Sequence, residues 1–354
     1  MHRNNTLMSQ EKVREYYGKV LQKSADLKTG ACCTDGAGMS AQAKAALAEV
    51  NDEVKDRFYG CGSPLPPLLE GCVVLDLGCG SGRNAFVASK LVGPQGRVIG
   101  VDMTAEQIEV ARRHADSQMK RFGYARSNVE FHLGFIEDLH ELGIADNSVD
   151  VVISNCVLNL SPDKRSVFSE VFRVLKPGGE LYFSDVFSGR RVPTHLQEDP
   201  VLHGECLAGA LYFEDFRRLL AEAGCADYRT MMSRRIPISD PAIDACIGMI
   251  DFYSSTVRAF KLPLEDRCED YGEVAMYDGT IPEHPHSFEL DDHHRFFTGK
   301  PMLVCGNTAD MLKQTRYGAH FRVEGDRNTH FGLFDCHPWA DGAANNGATG
   351  GACC

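Results

Sequence analysis

Two groups of residues in this 354-residue chain are placed to do chemistry: a glycine-rich turn and a subset of its cysteines. The turn reads Leu75-Asp76-Leu77-Gly78-Cys79-Gly80-Ser81-Gly82-Arg83. Glycine lets a chain bend sharply between a strand and a helix, and lets a ligand approach without a Cβ in the way. A dinucleotide site asks for G-x-G-x-x-G, with a helix N-terminus meeting the pyrophosphate. Here the glycines fall at 78, 80 and 82, and position 83 is Arg. Asp76, just before the turn, disfavours a pyrophosphate and suits a cation. The turn therefore favours the ammonium and sulfonium end of S-adenosyl-L-methionine over NAD.

The chain carries 14 cysteines, at 32, 33, 61, 72, 79, 156, 206, 225, 246, 268, 305, 336, 353 and 354. No two are separated by two residues, which removes the CxxC knuckle of structural zinc and thioredoxin-like sites. The opening MHRNNTLMSQEKVREYY has no apolar leader, so the cysteines are expected as reduced thiols and not as a disulfide framework. Most read as small buried hydrophobes. Three do not. Cys156, in SNCVLN, follows the fourth expected strand, where the methyl acceptor sits at the carboxyl edge of such a sheet. Cys206, in HGECLAGALY, follows the fifth, and Cys61, in FYGCGSP, precedes the turn. Three thiolates are poor acid–base catalysts for oxygen or nitrogen acceptors but good ligands for a soft centre. Trivalent arsenic, which prefers three sulfurs in a pyramid and keeps a lone pair, fits that description.

The elements that must position these groups follow from periodicity. Residues 9 to 57 read as helical pieces, SQEKVREYYGKVL and SAQAKAALAEVNDEVKDRFYG, with Ser9 and Ser40 as N-caps. From Cys72 short apolar runs alternate with amphipathic stretches: CVVLDLG, RNAFVASKLV, GRVIGVDM, AEQIEVARRHADSQMKRFG, VEFHLG, VDVVISNCVLN, KRSVFSEVFRVLK and GELYFSDV. This is the βαβα pattern of a parallel sheet covered by helices, with four or five parallel strands before residue 190. FEDFRRLLAEAGC reads as a further helix, and GEVAMYD and KPMLVCG as strands of a smaller unit. The expected organisation is an N-terminal helical segment over the cofactor (1–70), a cofactor-binding domain (71–190), an acceptor-binding region (191–240), a C-terminal α+β domain (241–335) and a Cys-ending tail (336–354).

Within that frame, Asp102 in GVDM ends the second strand and can accept both ribose hydroxyls, with Met103 and Gln107 following it. GFIED places Ile136 and Glu137 after the third strand, as an apolar face and an acceptor for adenine. Gly78, Gly80, Gly82, Arg83 and Asn155 complete the expected cofactor contacts. Tyr59, two residues from Cys61, is a candidate to face the sulfonium or else a core aromatic. His284, His286, His293 and His294 cluster in PEHPHSFELDDHH, which matches no ligand template and reads as a solvated acidic loop in preference to a metal site.

Composition closes off other classes. Hydrophobic residues make up 43% and charged residues 24%, an ordinary globular balance. Net charge is -12 and no basic stripe is present, so nucleic acid is excluded as a partner. About 18 consecutive apolar residues occur nowhere, so no membrane span is expected, and the chain reads as cytoplasmic and monomeric.

LDLGCGSG, GVDM, GFIEDL, SNCVLN and LKPGGELYFSD stand in the order and spacing of the class I S-adenosylmethionine methyltransferases, which this chain resembles. The resemblance implies a Rossmann-like sheet with helices on both faces. The family usually has Asp where Phe135 stands, which passes the adenine contact to Glu137. YYGKVLQKSADLKTGACC, RFYGCG, SNCVLNL, GECLAGALY and a terminal GGACC are similar to the arsenite methyltransferases in particular. That resemblance implies arsenite and methylated arsenicals as substrates. It implies Cys32 or Cys33, Cys61, Cys156 and Cys206 as functional cysteines, Cys32 matching better by its distance from SADL. Cys61, Cys156 and Cys206 would hold arsenic, Cys32 and Cys61 would form a disulfide that returns it to the trivalent state, and thioredoxin or glutathione would reduce that disulfide. Two alternatives share the cofactor turn: a small-molecule C- or O-methyltransferase, and a metalloid-binding sensor.

Overall fold

The computed structural model describes residues 38–58, 60–199, 202 and 206–335. Cys32, Cys33, Tyr59, Ser9 and the three cysteines from residue 336 onward lie outside them.

The alternating pattern folds as read. Strands β1 (Val73–Leu77), β2 (Arg97–Asp102), β3 (Val129–Leu133), β4 (Val149–Asn155) and β5 (Leu175–Ser188) are parallel, in the order β3-β2-β1-β4-β5. Their nearly continuous apolar runs are what a sheet covered on both faces requires. On one face lie helices α1 (Ala41–Ala48), α3 (Arg83–Val92) and α4 (Ala105–Phe122), packing Phe86, Ile108 and Met119 against Val74, Val98 and Ile153. Between the first two of these comes a short helix, α2 (Asp52–Asp56). On the other face α5 (Lys164–Val174) and α6 (Phe213–Glu222) bring Phe168, Phe172 and Phe216 against Leu75, Val152 and Phe183. Aromatic rings meet edge to face there, as at Phe183 and Phe216, 5.7 Å apart. Ser40 caps α1 as expected, accepting from the Ala43 N–H at 3.1 Å. The single helix read over residues 40–57 breaks in two, because Asn51 turns its side chain to cap α2 at the Glu53 N–H.

The sheet does not end at residue 190. A two-residue strand β6 (Leu211–Tyr212) pairs with the end of β5. Strand β7 (Tyr228–Arg235) forms the edge, and β8 (Phe252–Phe260) runs antiparallel between β5 and β7. Residues 252–260 therefore belong to the central sheet, and the separate unit expected from residue 241 begins later, with the strand pair Glu269–Asp270 and Gly332–Leu333. That unit adds a three-stranded antiparallel sheet (Glu273–Tyr277 between Pro301–Val304 and Phe321–Glu324), a hairpin of Ser287–Glu289 with Arg295–Phe297, and α7 (Gly306–Lys313). Its core of Tyr277, Phe288, Phe296 and Tyr317 is fully buried. It is fastened to the sheet by a buried ion cluster: Arg258 of β8 meets Glu180 of β5 at 2.7 Å, both wholly inaccessible, and Arg316 pairs with the same carboxylate. No helix among the described residues is long and apolar enough to cross a membrane.

Candidate active site

A cleft opens at the carboxyl ends of β1, β2 and β4, where the strand order reverses and ligands bind in such sheets. Its wall is built from the turn first singled out. Gly78 and Gly80 adopt the left-handed conformation, at φ of 69° and 53°. At Gly78 a Cβ would lie 2.3 Å from a methyl of Val157, so only glycine allows the turn to close against the segment after β4. Gly78, Gly80, Arg83, Asp102, Met103, Gln107, Ile136, Glu137 and Asn155, the residues expected at the cofactor, all line the cleft with Asp76. Gly82 does not. It precedes α3 at φ 93° with Phe131 against it, 2.9 Å from where a Cβ would stand. Its service is close helix–strand packing.

Three buried acceptors in this cleft lack a partner: Asp76 Oδ2, Asn84 Oδ1 and Gln107 Oε1. Buried polar atoms are nearly always satisfied, so they mark where a donor-rich ligand fits, and an ammonium with hydroxyls meets the requirement. Burial, reinforced by the nearby Asp102 carboxylate, pushes Asp76 up to about 7, against one backbone hydrogen bond from Ala85. Asp102 is also raised by burial, although both of its oxygens accept backbone N–H groups, from Gly80 at 2.9 Å and from Thr104 at 2.8 Å. Such a pair, short of positive charge, suits a cationic ligand. Arg83 stacks its guanidinium 3.7 Å above the Phe58 ring, and both border the cleft. Phe58, Asn84 and Ser161 were not foreseen; only the structure brings them to one wall. Glu137 accepts from the Ser161 hydroxyl at 2.6 Å across the mouth. The exposed Phe135 ring borders the same mouth.

At the far end of the cleft stands Cys156, just past β4, in left-handed backbone at φ 55° with its N–H on the Ser184 carbonyl. Such a conformation is uncommon for a residue with a side chain and concentrates at functional sites. Cys206 shares it, at φ 61°. Cys61, Cys156 and Cys206 fall in one buried apolar cluster with Val186, Leu207 and Phe252.

Asn155 performs a job that sequence reading did not assign. Its amide oxygen accepts the Cys61 N–H at 2.9 Å and its amide nitrogen donates to the Gly62 carbonyl at 2.8 Å. Ser254 of β8 donates to the Cys61 carbonyl at 3.0 Å. So held, Cys61 is bonded to Cys156 as a disulfide, their Cα atoms 5.9 Å apart, a usual separation for such a bond. This corrects the expectation of reduced thiols throughout.

The histidine cluster divides: His286 is exposed and His284 and His293 are partly so, as expected of a solvated loop, but His294 is not. His294 is buried and shares its Nδ1 with both oxygens of Asp291, which in turn faces Arg229. Asp291, Asp292 and His293 could converge on a cation, but Asp291 is already committed to that buried network.

The matching family models are a methyltransferase domain over residues 68–224, which stops short of β7 and β8, and an arsenite methyltransferase C-terminal domain over 271–337. The arsenite methyltransferase of Aquipseudomonas alcaligenes is 54% identical over 92% of this chain and 93% of its own length. The chain belongs to the arsenite methyltransferases. The mouse arsenite methyltransferase is 43% identical over 87% of this chain and 82% of its own. Among solved structures, an arsenic(III) S-adenosylmethionine methyltransferase from Chlamydomonas reinhardtii superposes with a TM-score of 0.81, at 53% identity, over 84% of this chain and all of that one. This arsenite methyltransferase therefore uses S-adenosylmethionine, and the cleft just described has the orphaned acceptors to hold it. The small-molecule C- or O-methyltransferase and sensor alternatives fall with that membership.

Proposed function

We propose that the enzyme methylates arsenic held by cysteine sulfur, with Cys61, Cys156 and Cys206 as its ligands and a cysteine disulfide as the immediate reductant. The observation that carries this reading is the gathering of those three cysteines in one buried apolar cluster that meets the cofactor cleft at Cys156. Reduced, the cluster presents soft thiolates in a dry pocket, the environment a thiophilic centre selects. The Cys61–Cys156 bond must be open for that, since a sulfur in a disulfide has no thiolate to offer.

S-adenosylmethionine, when bound, supplies a methyl group as electrophile. The chain's own residues do the rest by placement. Asp76, Asn84 and Gln107 hold the donor's polar groups, and the thiolates hold arsenic with its lone pair toward the cleft. Aligning two bound reactants removes roughly 7 to 11 kcal/mol of a barrier, so no general base is needed. Forming the arsenic–carbon bond uses the arsenic lone pair and oxidises arsenic by two electrons. Two thiolates closing to a disulfide return those electrons, Cys32 and Cys61 being the pair the family resemblance suggests. An external dithiol such as thioredoxin, or glutathione, then reopens the disulfide by exchange. Conversion of arsenite to methyl- and dimethylarsenicals in this way is a detoxification chemistry.

The test is product speciation with donor, arsenite and a thiol reductant. Cys156→Ser and Cys206→Ser should each abolish every methylated product, while Cys32→Ser should spare the step from monomethyl to dimethyl more than the first step. Full activity in either of the first two variants refutes the ligand set. Equal loss of both steps in Cys32→Ser refutes its redox role.

A further inference from the structure

Three residues past Cys156, Asn159 sits in a single 3-10 turn, Leu158–Leu160, buried and heavily bonded. Its N–H donates to Asp185 Oδ2 at 3.2 Å, and its amide nitrogen donates to Asp185 Oδ1 at 2.8 Å and to the Val186 carbonyl. Its own carbonyl accepts from the Lys164 ammonium at 3.0 Å, and the same ammonium reaches the Ser161 carbonyl at 3.0 Å. Lys164 is the first residue of α5, where the helix dipole disfavours a cation. Burial also pulls its pKa down, against the attraction of Asp185 and Glu137. Helix stability does not explain a lysine there. The two carbonyls it fastens do.

The same Asn159 carbonyl faces the segment that carries the second thiol. A Cβ at Gly209 would lie 2.0 Å from the Asn159 carbonyl oxygen, so Cys206-Leu-Ala-Gly packs directly on this peptide. Leu160, Ser161 and Pro162, the residues just beyond, line the donor cleft. One short turn thus touches the Cys156 strand end, the Cys206 segment and the cleft wall.

We infer that Asn159, gripped by Asp185 and Lys164, is a positioning residue that fixes the Cys156 segment against the Cys206 segment and so sets where arsenic sits relative to the methyl donor. The inference rests on the reading that Cys156 and Cys206 hold the arsenic. Asn159 touches neither reactant; it acts through the backbone it holds.

The experiment uses the full-length enzyme with Asn159→Ala, Gly209→Ala and Lys164→Met, and with Lys164→Arg as the conservative counterpart. Donor affinity is read by calorimetry, dithiol geometry by phenylarsine oxide affinity, and turnover at saturating arsenite and donor. Misplacing a reactant by about 1 Å costs on the order of a hundredfold, so kcat should fall roughly 10- to 100-fold in the first three variants. Phenylarsine oxide should bind more weakly, donor affinity should hold, and Lys164→Arg should recover part of kcat. If Asn159→Ala does not fold, Gly209→Ala and the Lys164 pair carry the test alone. A kcat within about twofold of the parent, or a loss of donor affinity that matches the loss of kcat, overturns the inference. Cys156→Ser and Cys206→Ser run in parallel separate the two levels: activity in those variants defeats the ligand reading, whereas their inactivity beside an unaffected Asn159→Ala defeats only this inference.

Discussion

Replacing Asp76 with Asn tests the donor cleft at its centre. The carboxylate is 2% exposed, has one oxygen without a partner and is pushed up to about 7 by burial and by Asp102. Below neutrality the empty cleft therefore holds mostly the protonated acid, whereas a cation against Oδ2 needs the ionised form. Raising the pH supplies that form, so S-adenosylmethionine affinity should climb with pH up to and through 7. With a pKa of about 7 the ionised fraction rises from about 0.09 at pH 6 to about 0.76 at pH 7.5, an increase of about eightfold in affinity. The series stops at pH 7.5 because the ligand's own amino group loses its proton near 8. Stability runs the opposite way. A folded-state pKa raised above the unfolded value means that ionising Asp76 costs the empty protein stability between about pH 4 and 7, so thermal stabilisation by the donor should be larger at pH 7.5 than at pH 6. Asp76→Asn should flatten the affinity slope. It should also remove a charge-assisted hydrogen bond of about 1.5 to 3 kcal/mol, weakening binding about 10- to 150-fold at pH 7.5. Titration calorimetry without arsenic measures both. A parent affinity independent of pH from 6 to 7.5, or a variant that keeps both slope and affinity, refutes the reasoning.

Two further outcomes follow from packing. Gly78→Ala places a methyl group 2.3 Å from Val157 and demands φ of 69° of an alanine, a conformation that costs about 1 to 2 kcal/mol before the clash; donor affinity should fall at least about tenfold, read in the same calorimeter, and an unchanged value would show that the turn relaxes freely. Arg258→Met leaves buried Glu180 with Arg316 and the Tyr317 hydroxyl and should cost about 3 to 5 kcal/mol in denaturant unfolding, while adding Glu180→Gln should recover part of that; equal stability of the single and double variants would show that the ion cluster is not what fastens the C-terminal unit.

The strands and helices from β1 to β5 were legible because each is a local pattern: apolar runs of strand length, amphipathic stretches between them, glycines at the turn. The cleft was legible for the same reason, since Asp76, Gly78, Asp102 and Gln107 sit at the ends of those elements. β8 was not. Its Phe-Tyr-Ser-Ser-Thr-Val-Arg-Ala-Phe reads as half polar, and it is buried only because partners far along the chain satisfy it: Ser184 meets Thr256 at 2.7 Å, Ser233 meets Ser255 at 2.8 Å, and Glu180 takes Arg258. No local period carries such pairings. The bonding of Cys61 to Cys156 was hidden likewise, because it depends on Asn155 drawing in a backbone 94 residues earlier. Gly209 gave no signal either, since a glycine needed for a neighbour's carbonyl looks the same in sequence as one needed for a turn.

The antiparallel insertion of β8 also bears on how the enzyme is born. A ribosome delivers the donor-binding strands, both β4 and β5, well before residues 252–260 emerge, and domains begin to fold as they appear. Ser254, which secures the Cys61 carbonyl from 193 residues away, arrives late. A nascent chain can thus form the cleft at the ends of β1, β2 and β4 while the strand that secures Cys61 is still missing. The surroundings of Cys61 are completed only when β8 pairs with β5 and carries β7 with it as the new sheet edge.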